Sequence, residues 1–222
     1  MTAPIPPLPT SLVDFLQNTS MRHFLPSDPE FLAIKLPYVA TRAVPSVVIR
    51  PKDAAQVQQL VACCVFHGVE FVVRSGGHDL RGRSTVDGVV QIDMRDVNHV
   101  TVDNDAKTAR VGGGVLFGHL LEELQKRDAM AAVGTIDTVG LVGWSTLGGY
   151  GPYSPSFGLG VDQILGATVV NAKGELITAD ERLLTALRGG GASSFGVVVE
   201  LEIKVYPLRQ VGGMFLLHVC LL

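Results

Sequence analysis

The sequence predicts an α+β protein of two lobes, a small parallel β-α-β lobe followed by a larger, mainly antiparallel sheet lobe. Three observations predict it. Pro45 to Arg74 reads strand, helix, strand, and so short a crossover joins parallel strands with a right-handed connection. From Gly88 onward the chain breaks into short β-branched runs separated by turn residues, the pattern of hairpins. The connections are also crowded with glycine, at Ser75-Gly76-Gly77, at Gly112-Gly113-Gly114, through Gly134 to Gly151 and at Gly189-Gly190-Gly191. So many residues without a side chain imply close approaches of main chain.

Each element follows from local pattern. Residues 1–40 are proline-rich and read as an irregular arm, with one apolar patch at Ser11 to Leu16 that Ser11 could cap as a helix. Pro45 to Arg50 is a β-branched strand ended by Pro51. Asp53 then caps a helix whose apolar residues Ala54, Val57, Leu60, Val61, Cys64 and Val65 recur at helical spacing, and Gly68 stops it. The strand Val69 to Arg74 runs into the first glycine turn. Gly88 to Asp93 opens the second lobe as a strand, and Val97 to Val102 and Thr108 to Gly112 form a hairpin around Asp103-Asn104-Asp105. Val115 to Lys126 is an amphipathic helix with Leu116, Phe117, Leu120, Leu121 and Leu124 on its apolar side. Gln163 to Val170 and Glu175 to Thr178 make a second hairpin, and Asp180 caps a helix to Leu187. Val197 to Tyr206 alternates, with Val199, Leu201, Ile203 and Val205 assigned to the core face and Glu200, Glu202 and Lys204 to the other.

Composition narrows the function classes. A net charge of −3 with both signs interspersed offers no basic stripe for nucleic acid and no polybasic patch for a lipid surface, so a small molecule is the expected partner. Cys63, Cys64 and Cys220 make neither a disulfide framework nor a metal pair, and are read as reduced thiols. The start M-T-A-P-I-P-P-L-P-T lacks a signal-peptide pattern, and no apolar run approaches the roughly 20 residues of a membrane span. As written, the chain is expected to be soluble and cytoplasmic. Oligomeric state is not readable.

The glycine segments carry the chemistry. In V-V-R-S-G-G-H-D-L-R-G-R-S, from Val72 to Ser84, adjacent glycines allow main-chain N–H groups to converge on an anion, as a pyrophosphate requires. His78 follows at once, and an imidazole beside such a nest is within reach of whatever the phosphates anchor. Taken alone, the same residues fit a tight turn with a partly satisfied histidine. The segment G-T-I-D-T-V-G-L-V-G-W-S-T-L-G-G-Y-G, Gly134 to Gly151, could be flexible linkage, but its threaded Val, Leu, Ile and Trp favour an ordered backbone wrapped against a flat ligand. Neither Gly112-Gly113-Gly114 nor Gly189-Gly190-Gly191 completes G-x-G-x-x-G, since Phe117 and Ser194 stand at the third glycine. The P-loop and nucleophile-elbow patterns are absent, and the histidines show no metal-ligand spacing.

In order and in flanking residues, these segments resemble the FAD-binding, PCMH-type domain of the vanillyl-alcohol oxidase superfamily, in its berberine bridge enzyme-like branch. The resemblance runs from about Pro45 to Pro207 through P-S-V-V-I-R-P-K, R-S-G-G-H, T-V-G-L-V-G-W-S-T-L-G-G-Y-G, F-G-L-G-V-D-Q-I and A-L-R-G-G-G-A-S-S-F-G. It implies a two-lobed FAD-binding domain over 41–210, with lobes at about 41–87 and 88–210, and a truncated start of a substrate domain at 211–222. It further implies FAD bound covalently through His78. The amides of Ser75, Gly76, Gly77 and His78, flanked by Arg74 and Asp79, would hold the pyrophosphate. Thr138, Val139, Gly140, Gly143, Trp144, Gly148, Gly149 and Gly151 would lie along the isoalloxazine, with Asp162, Ile164 and Val198 near the adenosine half. The implied reaction is hydride transfer from a hydroxyl, sugar or phenolic natural product to the flavin, with oxygen or another acceptor restoring it.

The sequence also departs from that family. Ile136 stands where doubly linked members carry cysteine, so attachment through His78 alone is expected. Trp144 replaces a histidine common near the flavin N1 side, and Leu80 a more polar residue; Val139, by contrast, occupies a position where a small residue is thought to admit oxygen in relatives, which favours an oxidase. The catalytic base of relatives comes from the later domain, so none is assigned; Tyr150, Tyr153 and His119 are the residues here that could serve. Two alternatives stay open, a flavin-binding fragment without turnover and a nucleotide-binding module that uses the nest for phosphate alone.

Overall fold

The computed structural model describes residues 7–35, 38, 41–105 and 107–209. The expected segment 211–222 lies outside the described residues. A four-stranded sheet contains β1 (Arg22–Phe24), β2 (Val47–Arg50), β3 (Phe71–Arg74) and β4 (Val90–Asp93) in the order β1-β2-β4-β3. A five-stranded antiparallel sheet contains β5 (Val100–Asp103), β6 (Thr108–Gly112), β8 (Ile164–Val170), β9 (Leu176–Thr178) and β10 (Val197–Lys204) in the order β5-β6-β10-β8-β9. A two-stranded ribbon pairs β7 (Ala129–Met130) with β11 (Tyr206–Pro207). The fold class read from the sequence is the observed one.

Three connections differ from the sequence reading. β2 and β3 are parallel but not adjacent, because β4 enters between them and pairs parallel with both. Residues 90–93 therefore belong to the first sheet and not, as expected, to the second. Apolar sequence cannot distinguish these arrangements, since a strand buried on both faces reads the same beside either neighbour. The stretch read as an irregular arm carries α1 (Thr10–Thr19), β1 and α2 (Phe31–Lys35), and β1 closes the edge of the first sheet against β2.

The first sheet is covered on both faces. Val47 and Ile49 point into a core with α1 and α3 (Ala54–Phe66), while Val48 packs with Phe24 and Phe31. Asp53 caps α3 through Gln56 N, as its place before the apolar run predicts. The second sheet packs one face on α4 (Phe117–Gln125), α5 (Leu141–Thr146) and α7 (Glu181–Gly190). A short α6 (Ser154–Phe157) precedes a 3-10 turn into β8.

β10 does not keep one face to each side. A register shift between Val198 and Glu200 turns the strand, so Val197 and Val199 enter the core shared with α3, whereas Val198, Leu201 and Ile203 enter the core with α4 and α7. Val199 thus lies opposite the face assigned from strict alternation, because a β-bulge resets the period of two.

Candidate functional site

The first glycine turn is built on charge. β3 ends at Arg74, 2% exposed, whose guanidinium lies beneath the turn so closely that a Cβ on Gly77 would come 2.9 Å from its Nε. Gly77 has φ +75°, a conformation that asks for glycine. Arg74, Arg95 and Arg50 cluster around Asp93, which is fully buried, and Asp96. Arg95 binds Asp93 through Nε at 2.9 Å and Nη2 at 2.5 Å. Three guanidinium groups against two carboxylates leave the cluster net positive under the turn. Burial and the neighbouring Arg95 pull Arg74 down to about 10, so it stays cationic at neutral pH. A net cation beneath the turn favours an anion bound there.

The second glycine segment meets the first. A Cβ on Gly76 would strike Thr138 O and lie 2.5 Å from Gly140 N, and one on Gly140 would strike Ser75 Oγ and lie 2.8 Å from Gly76 N. Each glycine is required by the main chain of the other loop. His78 Nε2 is 2.8 Å from Thr138 Oγ1 across the junction, and Tyr38 stacks on the imidazole with centroids 4.2 Å apart. The half-buried His78 is held below the usual imidazole range, by burial first and then by Arg74, with Asp137 and Thr138 opposing. Its neutral form is thereby favoured. Thr138 and Asp137 also line a cavity of about 350 Å³ with Arg95, Gly114, Leu116 and His119.

Where a wrapped backbone was expected from Thr138 to Gly151, the chain forms α5. Glycines and hydroxyl residues hide this helix locally; tertiary packing makes it, through buried Leu141 and Val142 and the Thr146 Oγ1 donation to Val142 O at 2.7 Å. Its first turn meets Ser75-Gly76. Its middle presses Trp144 and Ser145 against Gly160, and its last turn binds the third glycine cluster through Gly191 N to Thr146 O at 3.1 Å. Separate glycine segments thus dock on one six-residue helix. Gly143 and Gly148 have no atom within 4 Å of a Cβ position and face open space.

Several predicted site residues are otherwise engaged. Trp144 stands edge-on to Phe117 at 5.1 Å and donates its indole N–H to Tyr150 O. Val139 packs partly buried on the core, and Gly149 and Gly151 abut Gly160 and Val133 O. Asp79 accepts from Arg83 N, Nε and Nη2, which lowers it to about 2 and folds the 79–83 turn upon itself. The Asp162 carboxylate accepts from Leu159 N, and Ile164 and Val198 are core residues. Of the candidate bases, His119 bonds Asn98 O, Tyr150 is exposed, and Tyr153 packs on the core. Cys63 and Cys64 are free thiols, Cys64 pushed up to about 12 by burial. Sequence reasoning missed Tyr38 and the Asp93 cluster: the first sits among residues read as an arm, and the second needs the tertiary fold to assemble.

A family model described as "FAD binding domain" matches residues 45–180. The chain belongs to this FAD-binding domain family. The FAD-binding domain is 41% identical to (R)-6-hydroxynicotine oxidase of Paenarthrobacter nicotinovorans over 75% of this chain and 37% of that protein. It is 32% identical to Tetrahydroberberine oxidase of Berberis wilsoniae over 79% of this chain and 34% of that protein. Among solved structures, BBE-like 1 of Physcomitrella patens superposes with TM-score 0.84 at 34% identity, covering 88% of this chain and 44% of that one. These relatives place it in the vanillyl-alcohol oxidase superfamily of FAD-dependent oxidoreductases, in the company of berberine bridge enzyme-like proteins. The chain spans well under half the length of each of these relatives. No described helix is long and apolar enough to cross a membrane.

Proposed function

We propose that the chain binds FAD with the pyrophosphate on the amides of Ser75, Gly76, Gly77 and His78, linked covalently through His78 alone. In the whole protein the flavin would take hydride from a hydroxyl, sugar or phenolic small molecule. The observation that carries the reading is the reciprocal contact of the two glycine loops, which sets the neutral His78 ring and a cation-backed nest side by side. The residues fit the group. Ser75 Oγ is buried at the junction without a hydrogen-bond partner, a donor an incoming phosphate oxygen would satisfy. The open faces of Gly143 and Gly148 leave main chain bare for a flat ring.

When bound, FAD supplies the redox chemistry, and the protein supplies position and electrostatics. Arg74, with the Asp93 cluster, supports the negative charge at the nest. His78 would supply the ring nitrogen that attaches the flavin at its 8α-methyl group, giving up its proton, while molecular oxygen would take the two electrons that the linkage releases. Ile136, 38% exposed, offers no second nucleophile. Acid precipitation of the chain after incubation with FAD tests the reading. A yellow wild-type pellet beside a colourless His78→Ala pellet is expected. Colour retained in the variant overturns the attachment, and a chain that binds ADP but no flavin overturns the flavin itself.

A further inference from the structure

We propose that Tyr38 is a positioning residue that fixes the ring plane of His78, and that Thr138 fixes its tautomer. The inference rests on the reading that His78 carries the flavin. Tyr38 and His78 are nearly parallel, 17° apart with centroids at 4.2 Å, which is the offset-stacked geometry of an attractive aromatic pair. Core packing does not explain the contact, since Tyr38 is 60% exposed.

The main chain holds the tyrosine there. Tyr38 N donates to Gly77 O at 3.1 Å, one residue before the histidine. Four residues upstream, Ile34 O accepts from Arg74 Nη1 at 2.7 Å and from Arg95 Nη2 at 2.9 Å, so the cation cluster beneath the nest also grips α2. Ile34 is thereby tied to the charges beneath the nest, and Tyr38 to the nest itself.

The second restraint acts on the ring edge. Thr138 Oγ1 lies 2.8 Å from Nε2. A hydroxyl can accept or donate here; with Nε2 donating to Thr138, as the upward pull of the Thr138 main chain on the ring's pKa supports, the lone pair is on Nδ1, and the stacked tyrosine prevents the ring from turning it away. A neutral imidazole that can rotate and exchange tautomers presents its nucleophilic nitrogen only part of the time, whereas a clamped one presents it always. Asp137 and Arg74 are the charged groups that act on this ring. Both are present whichever way it turns, so they do not replace the clamp.

The test compares wild type with Tyr38→Phe, Tyr38→Leu and Thr138→Val. The rate of acid-stable flavin formation is followed after FAD is added to the flavin-free chain, and ADP binding reports the nest separately. Tyr38→Phe should match wild type, because it keeps the stack. Tyr38→Leu should slow attachment by roughly 10- to 100-fold, the scale of a lost near-attack geometry, with ADP affinity unchanged. Attachment by Tyr38→Leu at the wild-type rate overturns the proposal. So does a loss of ADP binding that parallels the loss of attachment, since the tyrosine would then merely support the loop. If wild type attaches no flavin, the underlying reading has failed, and ¹⁵N spectra of the His78 ring in the flavin-free chain decide. A single Nε2-protonated tautomer in wild type, with exchange between tautomers in Tyr38→Leu and Thr138→Val, supports the clamp. Identical spectra in all variants overturn it.

Discussion

Adding one methyl group at Gly76 should drive the two glycine loops apart. The new Cβ would lie 2.5 Å from Gly140 N and 3.1 Å from the Val139 carbonyl carbon, besides striking Thr138 O. Ordinary carbon contacts begin near 3.5 Å, so the overlap with Gly140 N is about 1 Å. The struck atoms are all main chain and cannot swing aside as a side-chain tip would. The cost should reach the upper end of overpacking, about 3 kcal/mol. For a chain of this size that is a fall of roughly 6 to 12 °C in Tm, at about 2 to 4 °C per kcal/mol. Gly143→Ala is the matched control on the same unit. Its Cβ meets nothing within 4 Å inside α5, and alanine in a helix gains about 0.5 to 1 kcal/mol over glycine. Thermal unfolding of the flavin-free chain by circular dichroism should move in opposite directions for the two variants. On the proposed flavin site, FAD binding should suffer in both, in Gly76→Ala because the loops part and in Gly143→Ala because the methyl fills the open space assigned to the ring. A Gly76→Ala chain that melts with wild type would refute the contact on which the site is built.

Asp93→Asn should cost about 3 to 5 kcal/mol, since it leaves buried guanidinium groups without their counter-charge; urea unfolding checks it. Asp79 titrates far below its ordinary value, mainly through Arg83, so its contribution is present above that ordinary value and lost as pH falls toward about 2. Hydrogen exchange of the 79–83 amides should accelerate across that window, and Asp79→Asn should remove the pH dependence. His78 is shifted downward, so the folded chain holds fewer protons than the unfolded chain just below the usual imidazole pKa. Stability should decline as pH drops through that region, less so in His78→Ala, while the rate of flavin attachment stays level down to the lowered pKa.

Much of this molecule was legible because local and global preferences agree in it. Asp53 and Asp180 cap the helices that their positions announce, and the hairpin of β5 and β6 turns where Asp103 to Asp105 predict. The meeting of R-S-G-G-H with the Thr138 segment was expected, and the coordinates bring the two together. Strand order was not legible. Nothing in Val90–Asp93 says that it separates β2 from β3, because that choice depends on contacts distant in sequence. α5 escaped because its helix is imposed by its neighbours, not by its own residues. The bulge after Val198 escaped because an inserted residue leaves an alternating pattern almost unchanged while reversing what each side chain meets. Tyr38 escaped for the simplest reason: one exposed aromatic residue among prolines has no pattern at all.

The turn in β10 makes one strand serve two interiors. Val197 and Val199 help to close the core around α3, and Val198, Leu201 and Ile203 the core around α4 and α7. Neither half can shed the other without exposing a seam of aliphatic surface on a ladder they own in common. Calorimetry should therefore record one endotherm rather than two, and a gene cut between the sheets should yield two insoluble pieces. A cofactor held at that seam would be gripped by a body that gives way all at once or not at all.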